Sequence, residues 1–186
     1  MNICIKSYLT ASALLESEPN QWNVLVILDS GWIVTNFLLS HSRSYLALRF
    51  DDIDQPRSNK LLPSTTQIQQ GLDFSIGKDN LIVCCRAGQS RSAALAYVIA
   101  CRERGASTAL QLLDPTRHSP NRLVVTIGDM LLEFSDAFDQ FHDWRTRHSQ
   151  FRLSDYSAEL ESEIDELESQ GASNKICVAI DSSRFA

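Results

Sequence analysis

Four apolar residues without alternation, Leu81-Ile82-Val83-Cys84, run straight into Cys85-Arg86-Ala87-Gly88-Gln89-Ser90-Arg91-Ser92 and on into the alanine- and leucine-rich stretch Ser92 to Arg104. An apolar run this short, hydrophobic at both side-chain parities, fits an interior strand covered on both faces of a sheet. Gly105 stands where the following helix should stop. A strand that feeds a helix through a glycine-containing loop is half of a βα unit. The rest of the chain repeats the theme.

Asn23 to Leu28 reads as a buried strand ending at Asp29-Ser30-Gly31, and Tyr45 to Phe50 as another, ending in the polar loop Asp51 to Ser58. Asn2 to Ile5 supplies a further short strand. Ser64 is placed to cap a helix running to Phe74, with Gly77 beyond it. Pro120 is placed to start one long helix through Val124, Ile127, Leu131, Phe134, Phe138 and Phe141, at spacings of three and four. Alternating strands and helices predict an α/β fold with a mostly parallel central sheet flanked by helices. Residues 1–148 are expected to form one domain, and 149–186 an acidic helical extension or tail. Within the extension, Tyr156 to Gln170 reads as an amphipathic helix, and Ile176 to Ile180 as an edge strand or a weakly ordered tail.

The turn between strand and helix defines the chemistry. A loop entering a helix N-terminus points unpaired backbone N–H groups inward, and the helix dipole favours an anion there. Gly88 permits a backbone approach that a side chain would impede. Arg91 adds a planar, bidentate cation matched to phosphate oxygens. Arg86, Ala87, Gly88, Gln89, Ser90 and Arg91 therefore form a phosphate cradle, with the thiol of Cys85 at its centre. The thiolate is the nucleophilic form of cysteine, and positive surroundings favour it. Attack on phosphorus would give a cysteinyl-phosphate and split hydrolysis into two displacements, with backbone donors and Arg91 stabilising the equatorial oxygens. Such chemistry requires neither metal nor cofactor.

Cysteine, five residues, arginine and serine resembles the signature of the protein tyrosine phosphatase superfamily, and Ala87-Gly88-Gln89-Ser90-Arg91-Ser92 looks like its dual-specificity branch. Pro120-Asn121-Arg122 before an apolar helix is similar to a bacterial group of predicted tyrosine phosphatases. The resemblance runs from about Leu46 to Leu132. It implies a phosphatase-like fold and hydrolysis of phosphomonoesters on proteins. It also implies a general acid on the upstream loop, where Asp51, Asp52 and Asp54 all stand. The sequence Phe50-Asp51-Asp52 favours Asp52, with Asp54 its nearest competitor. Ser92 matches the family hydroxyl that assists breakdown of the cysteinyl-phosphate. The chain departs from the family at Cys84, where histidine usually precedes the nucleophile, and two adjacent cysteines admit a vicinal disulfide.

Two other functions share parts of this pattern. A rhodanese-like sulfurtransferase shares the look of Cys85-Arg86-x-Gly88 but places fewer residues between cysteine and arginine. A phospho-binding module without turnover would need a missing catalytic group, whereas nucleophile, arginine, serine and acids are all present. Asp114-Pro115 reads as a helix terminator. His41, His118, His142 and His148 are scattered as surface or satisfied side chains, and no metal is expected.

The remaining composition narrows the setting. No apolar run nears the ~20 residues of a membrane span, and the first residues do not read as a secretory signal. Five cysteines with no paired or zinc-type spacing suggest a reducing cytoplasm. A net charge of −6 argues against nucleic acid or an anionic membrane as partner. A phosphorylated protein or a small phosphomonoester is the expected partner; for oligomeric state, a monomer is the default.

Overall fold

The computed structural model describes residues 1–133, 136–150 and 162–180. Among these, β1 (Asn2–Ser7), β2 (Asn23–Leu28), β4 (Ser44–Arg49) and β5 (Asn80–Cys85) form a parallel sheet in the order β1-β5-β2-β4. A separate antiparallel ribbon joins β3 (Trp32–Val34) to β6 (Cys177–Ala179). The mostly parallel α/β architecture expected from the strand-helix alternation is present.

Both faces of the sheet are covered, which explains the unalternating strands. Along β5, Leu81, Val83 and Cys85 face one core, while Ile82 and Cys84 face the other. The first core packs against α3 (Thr65–Ser75), α4 (Arg91–Arg104), α5 (Ala106–Ala109), α6 (Arg122–Leu131) and α7 (Ala137–Arg147). The second packs against α1 (Tyr8–Ser17) and α2 (Asn36–His41), and it also buries Ile176 and Cys177 from the C-terminal segment. Successive strand residues point to opposite faces, so Cys84 and Cys85 belong to different layers. Their thiols are turned apart, so the vicinal disulfide that adjacent cysteines admit does not form; all five cysteines are free.

Local signals set most of the boundaries. The Ser64 hydroxyl accepts from the Gln67 backbone while the Gln67 side chain accepts from the Ser64 N–H, a reciprocal capping box that starts α3. Gly77 and Gly105, with φ of +69° and +79°, take positive-φ conformations that glycine tolerates, just beyond α3 and α4.

The long helix expected from Pro120 onward is instead two helices. α6 ends at Leu131, and Glu133 and Asp136 take φ of +36° and +52° before α7 begins; Phe134 lies outside the described residues. Contacts from the core reach the start of α7. The Asp129 carboxylate accepts from the Phe138 N–H at 3.2 Å, and the Tyr97 hydroxyl donates to the Ala137 carbonyl at 2.8 Å. The apolar spacing persists across the break because both helices bury a face in the same core, α6 through Val124 and Ile127 and α7 through Phe141 and Trp144.

Of the amphipathic stretch Tyr156 to Gln170, the part up to 161 lies outside the described residues, and 162–169 is helical. Ile176 to Ile180 contributes the short strand β6. Among the described residues, no helix is long and apolar enough to cross a membrane.

Candidate active site

The segment Cys85 to Arg91 leaves the carboxyl end of β5, inside the sheet, and enters α4. Ligands of open parallel sheets bind beyond the carboxyl ends of the strands, and this loop occupies that position. Gly88 is required there. Its φ is +74°, and a Cβ on it would lie 2.6 Å from the backbone nitrogen of Ser7 and 2.7 Å from the carbonyl carbon of Lys6. The loop is thus pressed against the end of β1. Its far side is held by the segment after Asp114, where the Ser119 N–H donates to the Gln89 carbonyl at 3.0 Å and the Asn121 N–H to the Ser90 carbonyl at 3.3 Å.

Cys85 is buried, with its Sγ 3.1 Å from the hydroxyl of Ser92. Ser92 sits in the first turn of α4 and is fully buried. Ser90 stands at the N-cap of that helix, yet its hydroxyl makes no cap. It donates instead to Asp52 Oδ1 at 2.7 Å. The first N–H groups of a 14-residue helix therefore point into the loop without a side-chain acceptor from the cap.

Arg91 is only 4% exposed, and its held contacts are one-sided. Nη1 pairs with the Asp29 carboxylate at 2.6 Å and donates to the Phe50 carbonyl at 2.9 Å. Nε is buried with no hydrogen-bond partner among the described residues. Burial would lower the pKa of this guanidinium, but the neighbouring Cys85 and Asp29 outweigh it and raise the value. A buried donor without an acceptor costs about 1–3 kcal/mol, so the Nε edge is poised for an incoming acceptor.

The three aspartates of the upstream loop have different surroundings. Asp51 is 2% exposed and accepts from the Ser30 N–H and hydroxyl, from Lys60 Nζ at 3.1 Å and from the Leu61 N–H at 2.8 Å. Burial alone would raise its pKa, but those donors hold it below the usual carboxylate value, which suits a structural anion and not a proton donor. Asp52 is exposed at the rim of the loop, where its Oδ1 accepts from Ser90 and from Asn121 Nδ2 at 2.9 Å. Asp54 is also exposed.

Asp29, Asp51, Asp52, Arg57, Lys60, Cys85, Arg86 and Arg91 contribute to one cleft of about 370 Å³, together with Ile53, Ala87, Gln89 and Ser90. Arg57 and Lys60 add cations to the mouth beside Arg86, and no motif in the sequence marks either of them. The sequence reading also missed Asp29 and Asn121. Asn121 has a double function in the geometry: its Oδ1 caps α6 through the Val124 N–H at 3.1 Å, while its amide reaches Asp52. An asparagine directly before an apolar helix was the available signal. Arg122 lies over the Phe138 ring at 5.3 Å, away from the loop.

Cys84 lies on the opposite face of β5, where burial pushes its thiol well up. Asp114 directly follows Leu113, the C-cap of the helical turn Leu110–Leu112, as expected of a helix terminator. It organises a turn by accepting from the Thr116 N–H and hydroxyl, and its own N–H donates to His118 Nδ1 at 2.9 Å.

The fold so described is a phosphatase-type α/β fold, with a cysteine-arginine loop at the carboxyl end of its central strand. No family model matches the chain, and no curated protein matches it. Among solved structures, the chain is similar to PTPMT1, a member of the protein tyrosine phosphatase family, in its crystal structure in complex with PI(5)P. That similarity has a TM-score of 0.50 at 11% identity and covers 70% of this chain and 90% of PTPMT1. Another crystal structure of PTPMT1 gives a TM-score of 0.43 at 13% identity, covering 78% and 95%. At these identities the likeness is one of fold.

Proposed function

We propose that the chain is a metal-independent phosphomonoester hydrolase of the protein tyrosine or dual-specificity type, working through a phosphate ester of Cys85. The observation that carries this reading is Arg91. It is buried beside a cysteine at the mouth of a helix, held by Nη1, and its Nε has no hydrogen-bond partner among the described residues. That arrangement suits an oxyanion bridging the arginine and the loop N–H groups.

In this mechanism the Cys85 thiolate attacks phosphorus, forming the S–P bond as the bond to the leaving oxygen breaks. Asp52, at the rim, delivers its proton to that oxygen. Arg91 and the loop from Arg86 to Ser90 bind the equatorial oxygens in both steps. Water then attacks the cysteinyl-phosphate, Asp52 takes up the proton, and the Ser92 hydroxyl hydrogen-bonds the departing sulfur. Residues 1–148 supply every one of these groups. A reducing, cytoplasmic setting keeps Cys85 as a free thiol for this chemistry.

The test is phosphate release from p-nitrophenyl phosphate, phosphotyrosine and phosphothreonine peptides, with chelator and reductant present, by wild type and Cys85→Ser. PI(5)P, held in the PTPMT1 crystal structure, belongs on the same panel because Arg57 and Lys60 line the cleft. Turnover that disappears in Cys85→Ser is expected. Phosphopeptide binding without turnover would replace the hydrolase reading with that of a binding module.

A further inference from the structure

Asp29 and the Phe50 carbonyl hold Nη1 of Arg91, and the loop that carries Asp29 is held in turn by the far C-terminal segment. Asp29 directly follows β2, in the tight turn Asp29-Ser30-Gly31 that leads into β3. On one side the turn is tied to the acid loop, through Ser30 and the Asp51 carboxylate at 3.0 Å. On the other side it is tied to β6. The Ile180 N–H donates to the Gly31 carbonyl at 2.7 Å, and Trp32, Ile33 and Val34 pair with Ala179, Val178 and Cys177. Below that ribbon, the Thr35 N–H donates to the Ile176 carbonyl at 2.9 Å, and the Thr35 hydroxyl donates to the carbonyls of Lys175 and Ile176.

β3 has three residues, and its strand partner among the described residues is β6. A two-stranded ribbon is marginal on its own, so its position depends on what anchors it. The anchor is in the core: Ile176 and Cys177 are buried with Tyr8, Leu28 and Cys84, and the Lys175 N–H donates to the buried Ser12 hydroxyl on α1 at 2.9 Å. The C-terminal segment therefore spans from α1 to the turn that carries the partner of Arg91.

We propose that β6 is a positioning element of the active site: by pairing with β3 and holding the Gly31 carbonyl, it keeps Asp29 on Nη1 of Arg91 and so aims the Nε edge at the bound oxyanion. This inference rests on Arg91 being an anion clamp. It assigns to residues 174–180 a role in the site that a sequence reading of them as a tail does not contain. Asp29 acts here as a positioning residue, and β6 acts only through it.

The experiment uses the full chain and reads anion binding directly. Tungstate is titrated against alkylation of Cys85 by iodoacetamide, followed by mass spectrometry of the peptide, for wild type, Ile180→Pro, Asp29→Ala and the double variant. Proline at 180 removes the N–H that reaches Gly31. Wild type should be protected, and Ile180→Pro should need on the order of tenfold more tungstate, equivalent to about 1.4 kcal/mol. Asp29→Ala should be weakened at least as far, and adding Ile180→Pro to it should change nothing further, since coupled residues are not additive.

A protection curve for Ile180→Pro that overlays wild type would overturn the proposal, even if its melting temperature falls. So would penalties that multiply in the double variant, or wild type that tungstate does not protect. If Ile180→Pro does not fold, Thr35→Val takes its place in the same cycle, because it removes only the hydroxyl bonds to the segment. Turnover of p-nitrophenyl phosphate is measured alongside. Its absence with protection intact would sink the hydrolase reading and leave the role of β6 standing.

Discussion

Asp52 Oδ1 accepts a 2.7 Å hydrogen bond from the hydroxyl of Ser90, a residue 38 positions later in the chain. This contact lays the acid loop on the rim of the cysteine loop and uses the N-cap serine of α4 to do so. It also sets Asp52 apart in environment from Asp51 and Asp54. Asp52→Asn is expected to lower kcat by about 10²–10⁴-fold on an alkyl phosphate, the usual worth of a positioned general acid, with little change in melting temperature. Asp51→Asn should behave oppositely, because it removes a buried anion that satisfies Ser30, Lys60 and Leu61; its loss should appear chiefly in denaturant unfolding, on the order of 3 kcal/mol. Asp54→Asn should leave both unchanged. A kinetic loss at Asp54 instead of Asp52 would move the acid along the loop.

The Ser92 hydroxyl lies 3.1 Å from the sulfur of Cys85, where it is placed to stabilise thiolate as a leaving group. Ser92→Ala should slow breakdown of the covalent intermediate more than its formation. Rapid-mixing kinetics with p-nitrophenyl phosphate should then show a burst of product equal to enzyme, followed by a slow steady state. A variant slowed without a burst would assign Ser92 to the first step.

His118 gives the fold a defined acid sensitivity. Burial pushes its imidazole down to about 4 from an ordinary 6.5, and its Nδ1 accepts from the Asp114 N–H. Between pH 6.5 and 4 the unfolded chain takes up a proton that the native state does not. Stability contributed by the neutral form is therefore present above that window and lost as pH falls through it, by up to about 3 kcal/mol. His118→Asn keeps an acceptor for Asp114 and removes the titration. Urea midpoints across this range should fall for wild type and show a flatter profile in the variant. Parallel profiles would dismiss His118 as the source.

α6 approaches α4 more closely than any side chain would allow at one point. A Cβ at Gly128 would lie 2.4 Å from both γ carbons of Val98. Gly128→Ala should cost roughly 1–3 kcal/mol through overpacking. Val98→Ala should cost less in that background than in wild type, because it vacates the space the new methyl needs. Additive losses in guanidinium unfolding would show that the helices simply move apart.

The parts of this molecule legible in the sequence are those set by neighbouring residues. The βα unit around Cys85 is visible because an unalternating apolar run, a glycine and an alanine-rich helix adjoin one another, and α3 because Ser64 and Gln67 form its cap three residues apart. The parts that escape reading are set across the chain. Asp29 looks like a turn residue after a strand, and only the sheet order brings it to Arg91. The three residues of β3 carry no period long enough to recognise, and their partner lies some 145 positions away, as the pairing of Ile33 with Val178 shows. The break between α6 and α7 escapes because the apolar spacing continues through it; what interrupts the helix is Asp129 and Tyr97 gripping the start of α7, contacts that a periodicity cannot express.

The most direct test of the account is to trap the intermediate. Asp52→Asn or Ser92→Ala enzyme is mixed with excess p-nitrophenyl phosphate, quenched in acid, digested and searched by mass spectrometry for a phosphorylated peptide. The account predicts a single phosphate, on Cys85, absent when Cys85→Ser is introduced and absent before substrate is added. Turnover with the phosphate on another side chain, or with none trapped in either variant, would contradict a mechanism that passes through the sulfur of Cys85.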